Sequence, residues 1–160
     1  MNIWKKILGI SLAVGLSVGI SFAPVYADTI SILDEITDEE TTEDWSEDTS
    51  SILARSSNLN FGNMKIQKVA SNEIVIYGLT QCHKKCSKVY LSIYLERKVN
   101  GSYGTYKYWN FTANNVTSLS KEIDVAVPSG TYYRVRGYHA ASNAGVKEST
   151  STLTSGIMVK

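Results

Sequence analysis

Two cysteines and two histidines carry the richest chemistry in this chain, and three of the four fall in one pentapeptide, Cys82-His83-Lys84-Lys85-Cys86. Thiols at this spacing could form a disulfide, hold a metal or act as a redox pair. In an exported chain, which the N-terminus indicates below, two cysteines are expected to pair. Four residues of extended strand span about 13 Å, whereas a disulfide needs Cα atoms roughly 4.4–6.8 Å apart. The bond therefore requires a turn at Cys82–Cys86. A redox pair is disfavoured because no Cys-x-x-Cys lies beside a βαβ pattern. A metal site drawn from Cys82, His83, Cys86 and His139 would need reduced thiols and matches no standard zinc spacing. No metal and no cofactor are expected. Nucleophilic catalysis needs a nucleophile, a base and an orienting group that meet in space. His83 in a stapled turn and His139 at a strand end specify no such meeting, and no catalytic residue is expected. Of the five acids beyond residue 58, Glu122 and Asp124 alternate with apolar neighbours and read as solvated.

The second store of chemistry is aromatic and cationic. Tyr90 and Tyr94 alternate with Val89, Leu91, Ile93 and Leu95, and Tyr132, Arg134, Arg136 and Tyr138 alternate with Tyr133 and Val135. Successive side chains of a strand point to opposite faces. If the aliphatic sets point inward, these tyrosines and arginines point outward. Tyrosine rings stack on flat apolar ligand faces, and arginine offers paired donors to carboxylate or phosphate. The ordinary alternative is that exposed Tyr and Arg suit strands and keep the sheet soluble.

The elements that would position these residues are strands. From about Leu59 apolar and polar residues alternate in short runs broken by turn residues. Strands are expected around 64–69, 73–79, 89–95, 105–111, 123–127 and 133–135, with 147–153 and 156–159 closing the chain. Val99–Gly104 contains Asn100-Gly101, a hairpin signal, and Pro128-Ser129-Gly130 and Ser142–Gly145 are further turns. About seven strands in a hundred residues suggest an all-β fold, a single antiparallel sandwich.

The ends add compartment and charge. Lys5 and Lys6 precede the uncharged run Ile7–Phe22, and Ala23-Pro24-Val25-Tyr26-Ala27 ends in small residues. That is the pattern of a secretory signal peptide over residues 1–27, cleaved after Ala27. The run is too short for a membrane span, which takes about 20 residues. Asp28–Ser50 contains ten acids and no base, and Ser51–Lys160 contains 14 bases and five acids. The mature chain thus reads as a −10 block followed by a +9 block, the usual mark of an interaction tail beside a domain of opposite sign. Residues 28–58, rich in Thr, Ser, Asp and Glu, are expected to be a disordered acidic leader, and residues 59–160 the β-sandwich domain.

Two resemblances sharpen this. Pro128-Ser129-Gly130-Thr131-Tyr132-Tyr133-Arg134-Val135-Arg136-Gly137-Tyr138-His139, followed by Asn143-Ala144-Gly145, resembles the last two strands of a fibronectin type III domain. The likeness implies a tyrosine-corner hydroxyl from Tyr132 or Tyr133, although the early-strand Trp of that family is missing. The strand order it implies makes the 89–95 and 133–135 strands neighbours, their outward tyrosines and arginines sharing one face, with Tyr106 and Tyr108 on the adjacent strand. The signal peptide, acidic leader, paired cysteines, Tyr94-Leu95-Glu96-Arg97 strand ending at Asn100-Gly101 and Tyr133–His139 together resemble an uncharacterised family of small secreted proteins of Gram-positive bacteria. That resemblance implies a secreted β domain and no known activity.

The expected role is a secreted, non-enzymatic binding module. A basic domain with a Tyr/Arg face would attract an anionic cell-wall polymer, a glycan or an acidic extracellular protein. No sorting motif is present, so contact with the wall would be non-covalent. Nucleic acid is disfavoured by the extracellular address, and no membrane span is expected in the mature chain. A secreted effector, antimicrobial or enzyme-inhibiting, is the alternative; it would use a loop such as 99–106 or 140–147.

Overall fold

The computed structural model describes residues 39–51 and 56–160, so the expected signal peptide and its cleavage site lie outside the described residues. Eight strands are described: β1 Glu40–Thr41, β2 Trp45–Ser51, β3 Leu59–Ala70, β4 Glu73–Val99, β5 Ser102–Ala126, β6 Thr131–Asn143, β7 Val146–Leu153 and β8 Gly156–Val159. No helix occurs among the described residues. The strands form one mixed sheet in the order β1-β8-β6-β4-β3-β2, with β5 on β4 and β7 on β6. Among the described strands, only β1 and β8 run parallel.

The organising element is β4. Its two expected strands, 73–79 and 89–95, are one continuous strand of 27 residues. β5 follows it along one edge, while the other edge meets β3 first and then β6. Between Gln81 and Cys86 the register with β5 shifts, because β4 inserts extra residues there. A bulge of this kind bends a strand and steepens its twist. The bend lets the β3 half of the sheet turn over the β6 half, and the sheet nearly closes on itself. It is therefore a folded, barrel-like mixed sheet, in place of the expected antiparallel sandwich of about seven separate strands.

Alternation then builds the core. Val89, Leu91, Ile93 and Leu95 are all fully buried, and so are Met64 and Ile66 on β3, Ile74 and Ile76 in the first half of β4, and Tyr133 and Val135 on β6. Each such side chain contributes roughly 1.5–3 kcal/mol on leaving water. The Asn100-Gly101 turn has φ values of 51° and 85° at its two residues, as a tight hairpin requires. Tyr133 Oη donates to the Pro128 carbonyl at 2.8 Å, closing the turn before β6.

Part of the segment expected as a disordered leader is strand. All seven residues of β2 pair antiparallel with β3. Its acidic, small-residue composition hid this, because the inward residues are polar and satisfied. Ser46 Oγ accepts the Ser155 amide at 2.9 Å, and Asp48 Oδ2 accepts the Leu153 amide at 2.7 Å. From the other side Glu148 on β7 accepts amides of Ser57, Asn58 and Leu59 and the hydroxyl of Ser56. These side-chain-to-backbone bonds sew the two ends of the curled sheet together. Burial raises the Glu148 pKa, but the Ser56, Leu59, Ser57 and Asn58 bonds outweigh it and hold the carboxyl down at about 2.

The expected disulfide is absent: Cys82 and Cys86 are buried free thiols. The pentapeptide is a strand bulge, with Cys82 opposite Leu59 and Cys86 opposite Val116. Burial, with the neighbouring Cys86 and the Glu148 charge, pushes the Cys82 thiol up to about 12. Disulfide chemistry runs through the thiolate, and this environment opposes forming it.

Candidate functional site

The bend in β4 gives the sheet two outward faces. One is carried by the second half of β4 with the first half of β5, β6 and β7. Register places the expected ligand-face residues on it. Tyr94 opposes Tyr108 on β5 and Arg136 on β6. The rings of Tyr94 and Tyr108 stack with centroids 6.3 Å apart and planes 21° apart. The Arg136 guanidinium carbon lies 4.7 Å from the Tyr94 centroid. Two residues back, Ser92 opposes Tyr138, and beyond it Tyr90 opposes Ala140. Lys147 on β7 bridges these tyrosines, its Nζ 4.7 Å from the Tyr90 ring and 5.7 Å from that of Tyr138. The outcome is a continuous stripe of rings with cations lying across them.

Beneath one end of the stripe is a buried ion-pair group. Glu96 Oε2 accepts from Arg134 Nε at 2.7 Å, and Glu96 Oε1 accepts from Arg136 Nε at 3.0 Å. Arg134 points to the expected face but is only 3% exposed. Tyr103 covers it, with its ring centroid 3.9 Å from the guanidinium carbon. Tyr103 reaches across the sheet because β8 offers Gly156 there: a Cβ at that position would collide with the Tyr103 hydroxyl. Arg134 is thus a structural residue, and through Glu96 it helps hold Arg136 in place.

Two more expected members are displaced. Tyr106 faces the other way, packing on the core and meeting Tyr133 edge-on with centroids 6.1 Å apart. A register shift between Leu95 and Glu96 inserts an extra residue in β5 and inverts the parity beyond it. Tyr132 shares the outward side but sits farther along β6, opposite Met158 on β8. The sequence reading missed Lys147 and Tyr103. Lys147 was legible, since a turn at 142–145 puts it opposite Ser142; Tyr103 required knowing that Gly156 lay within reach.

His139 is not the strand-end polar residue expected. It lies inside the curled sheet, fully buried, between the β3 and β6 halves. Gly62 and Gly137 make room for it, since a Cβ at either would overlap the ring. Its Nδ1 is 3.0 Å from Thr80 Oγ1 and its Nε2 2.9 Å from Thr152 Oγ1. Thr80 donates its own proton to the Tyr90 carbonyl at 3.0 Å. Nδ1 therefore carries the imidazole proton, and Thr152 donates to Nε2. Burial drives the His139 pKa down to about 4, so the ring is neutral at pH 7. Among the described residues no group of three or more His, Cys, Asp or Glu could hold a metal ion.

A family model described as a family of unknown function (DUF6147) matches residues 32–157. No curated protein matches the chain.

Proposed function

Because the chain belongs to this family of unknown function, its role has to be read from its surface, and we propose a secreted, non-enzymatic binding module for an anionic glycopolymer of the cell wall. The carrying observation is the in-register row Tyr108–Tyr94–Arg136. Its cation is already aligned over a ring and anchored by Glu96. Such an arrangement presents flat apolar surface to sugar rings and a fixed donor to phosphate or carboxylate. Little side-chain freedom is then lost on binding. Lys147 extends the same chemistry toward Tyr90 and Tyr138, which suits a repeating polymer. The C-terminal third is read as fibronectin type III-like, a reading supported by the Tyr133 hydroxyl bond to the Pro128 carbonyl.

The test is titration of purified protein with poly(glycerol phosphate) at low and high salt. Arg136→Ala and Tyr94→Ala are each expected to weaken binding about tenfold, as truncating a central interface anchor does. Binding should fall steeply with added salt. Equal affinities for wild type and both variants would overturn the reading. In the same reading the acidic stretch ahead of β1 competes with the polymer for this face. Deleting residues 28–38 keeps β1 and β2, whereas deletion to Ser50 would remove most of β2. The shorter deletion is expected to raise affinity for the polymer at low salt, and an unchanged affinity would show that this acidic stretch does not compete for the face.

A further inference from the structure

The opposite outward face carries a different chemistry. It consists of β2, β3, the first half of β4 and the second half of β5. One row crosses all four strands: Glu47 opposes Lys65, Lys65 opposes Tyr77, and Tyr77 opposes Glu122. At the usual strand spacing the row is about 14 Å long. These four residues, with Asn63, Gln67 and Val75, line a groove of about 370 Å³. Trp45 borders it, opposite Gln67 in register and with Lys65 Nζ 5.4 Å from its ring centroid. Trp45 is 48% exposed, which leaves aromatic surface open to a ligand. Asn63 is locked, donating through Nδ2 to Glu47 Oε1 and Thr49 Oγ1, both at 2.7 Å.

We propose that this groove binds a short neutral oligosaccharide, with Trp45 and Tyr77 as ring platforms and Gln67, Lys65, Glu47 and Glu122 as hydroxyl partners. Sugar hydroxyls both donate and accept, and the groove offers both in alternation: an amide, an ammonium and two carboxylates. The flat C–H face of a pyranose matches an exposed indole or phenol ring. Two carboxylates against one ammonium, with Asp124 opposite Val75 beside them, disfavour a polyanion. The volume falls within the roughly 300–1,000 Å³ range of ligand sites, and the elongated row suits a chain of rings. The proposal stands apart from the anionic-polymer face, sharing no residue with it. One module would thus hold a charged polymer on one side and a neutral glycan on the other.

The experiment is calorimetric titration of purified protein with cellotetraose and with chitotetraose. Binding of at least one is expected. Trp45→Ala and Tyr77→Ala should each weaken it about tenfold or more, Trp45→Phe should largely restore it, and Arg136→Ala should leave it unchanged. Should Trp45→Ala loosen β2, Tyr77→Ala and Gln67→Ala on the interior strands test the same claim, with thermal melts confirming the fold. Absence of binding to both sugars overturns the proposal. So does binding that survives Tyr77→Ala intact, or that is lost in Arg136→Ala. Poly(glycerol phosphate) titrations report on the other face, so either reading can fail while the other stands.

Discussion

Acidifying the protein from about pH 7 to about pH 4 is expected to remove roughly 3 kcal/mol of folding stability through one side chain, His139. Folded, the ring is enclosed between Gly62 and Gly137 and titrates at about 4; its ordinary value is 6.5. Below 6.5 the unfolded chain takes up a proton that the folded chain refuses. The stabilising contribution is therefore complete above 6.5, declines as the pH falls, and is gone at about 4. The cause is burial, since the two threonine hydroxyls satisfy the neutral ring but cannot replace the hydration of a cation. Glu148 adds a second decline at lower pH, because its folded value near 2 lies under the ordinary 4.5; its contribution is lost between those values. Urea melts across this range check the claim. His139→Gln should flatten the stability profile between 6.5 and 4 while leaving the decline below 4.5. A wild-type profile that is level from neutral pH to 4 would mean that solvent reaches the ring.

Glu96→Ala is expected to cost roughly 3–5 kcal/mol, the usual penalty for removing one partner of a buried ion pair. Glu96 and Arg134 are 6% and 3% exposed, so little solvent stands ready to replace the lost bonds. The same change frees Arg136 from its anchor, so polymer affinity should fall beyond what stability alone dictates. Two arginines lose their carboxylate partner in one substitution, which distinguishes this site from a surface pair worth under about 1 kcal/mol. Combining Glu96→Leu with Arg134→Met should recover most of the stability, because a well-packed apolar pair replaces a buried charged one at little cost. The combined variant should still bind polymer more weakly. Chemical denaturation of the single and double variants reads the first effect, and a loss below about 1 kcal/mol would place Glu96 in a hydrated setting.

The sequence carried its clearest information where alternation was strict. Val89, Leu91, Ile93 and Leu95 read as an inward set and are one, and the outward Tyr90 and Tyr94 follow from the same period. Asn100-Gly101 marked its hairpin because few other pairs accept two positive φ angles. Period alone could not reveal bulges. The insertion at Gln81–Cys86 turned an expected stapled turn into the bend that folds the sheet, and the shift at Leu95–Glu96 sent Tyr106 inward. Composition misled at β2, where Ser46 and Asp48 face inward yet bond to backbone amides, so an acidic run became a strand and brought Trp45 to a groove. Arg134 was legible as outward-pointing and illegible as buried. Its cover, Tyr103, arrives from a different strand, 31 residues earlier in the chain, and depends on a glycine near the C-terminus.

Polymer is expected to be held on the stripe of rings and cations beside the second half of β4. The most direct measurement is amide chemical-shift mapping during titration with short poly(glycerol phosphate) oligomers. Shifts are expected to concentrate at Tyr90–Tyr94, Asn110–Tyr108, Arg136–Tyr138 and Lys147, while the Glu47–Lys65–Tyr77 row stays unmoved. Shifts centred on that row, or spread evenly over every exposed lysine, would contradict it.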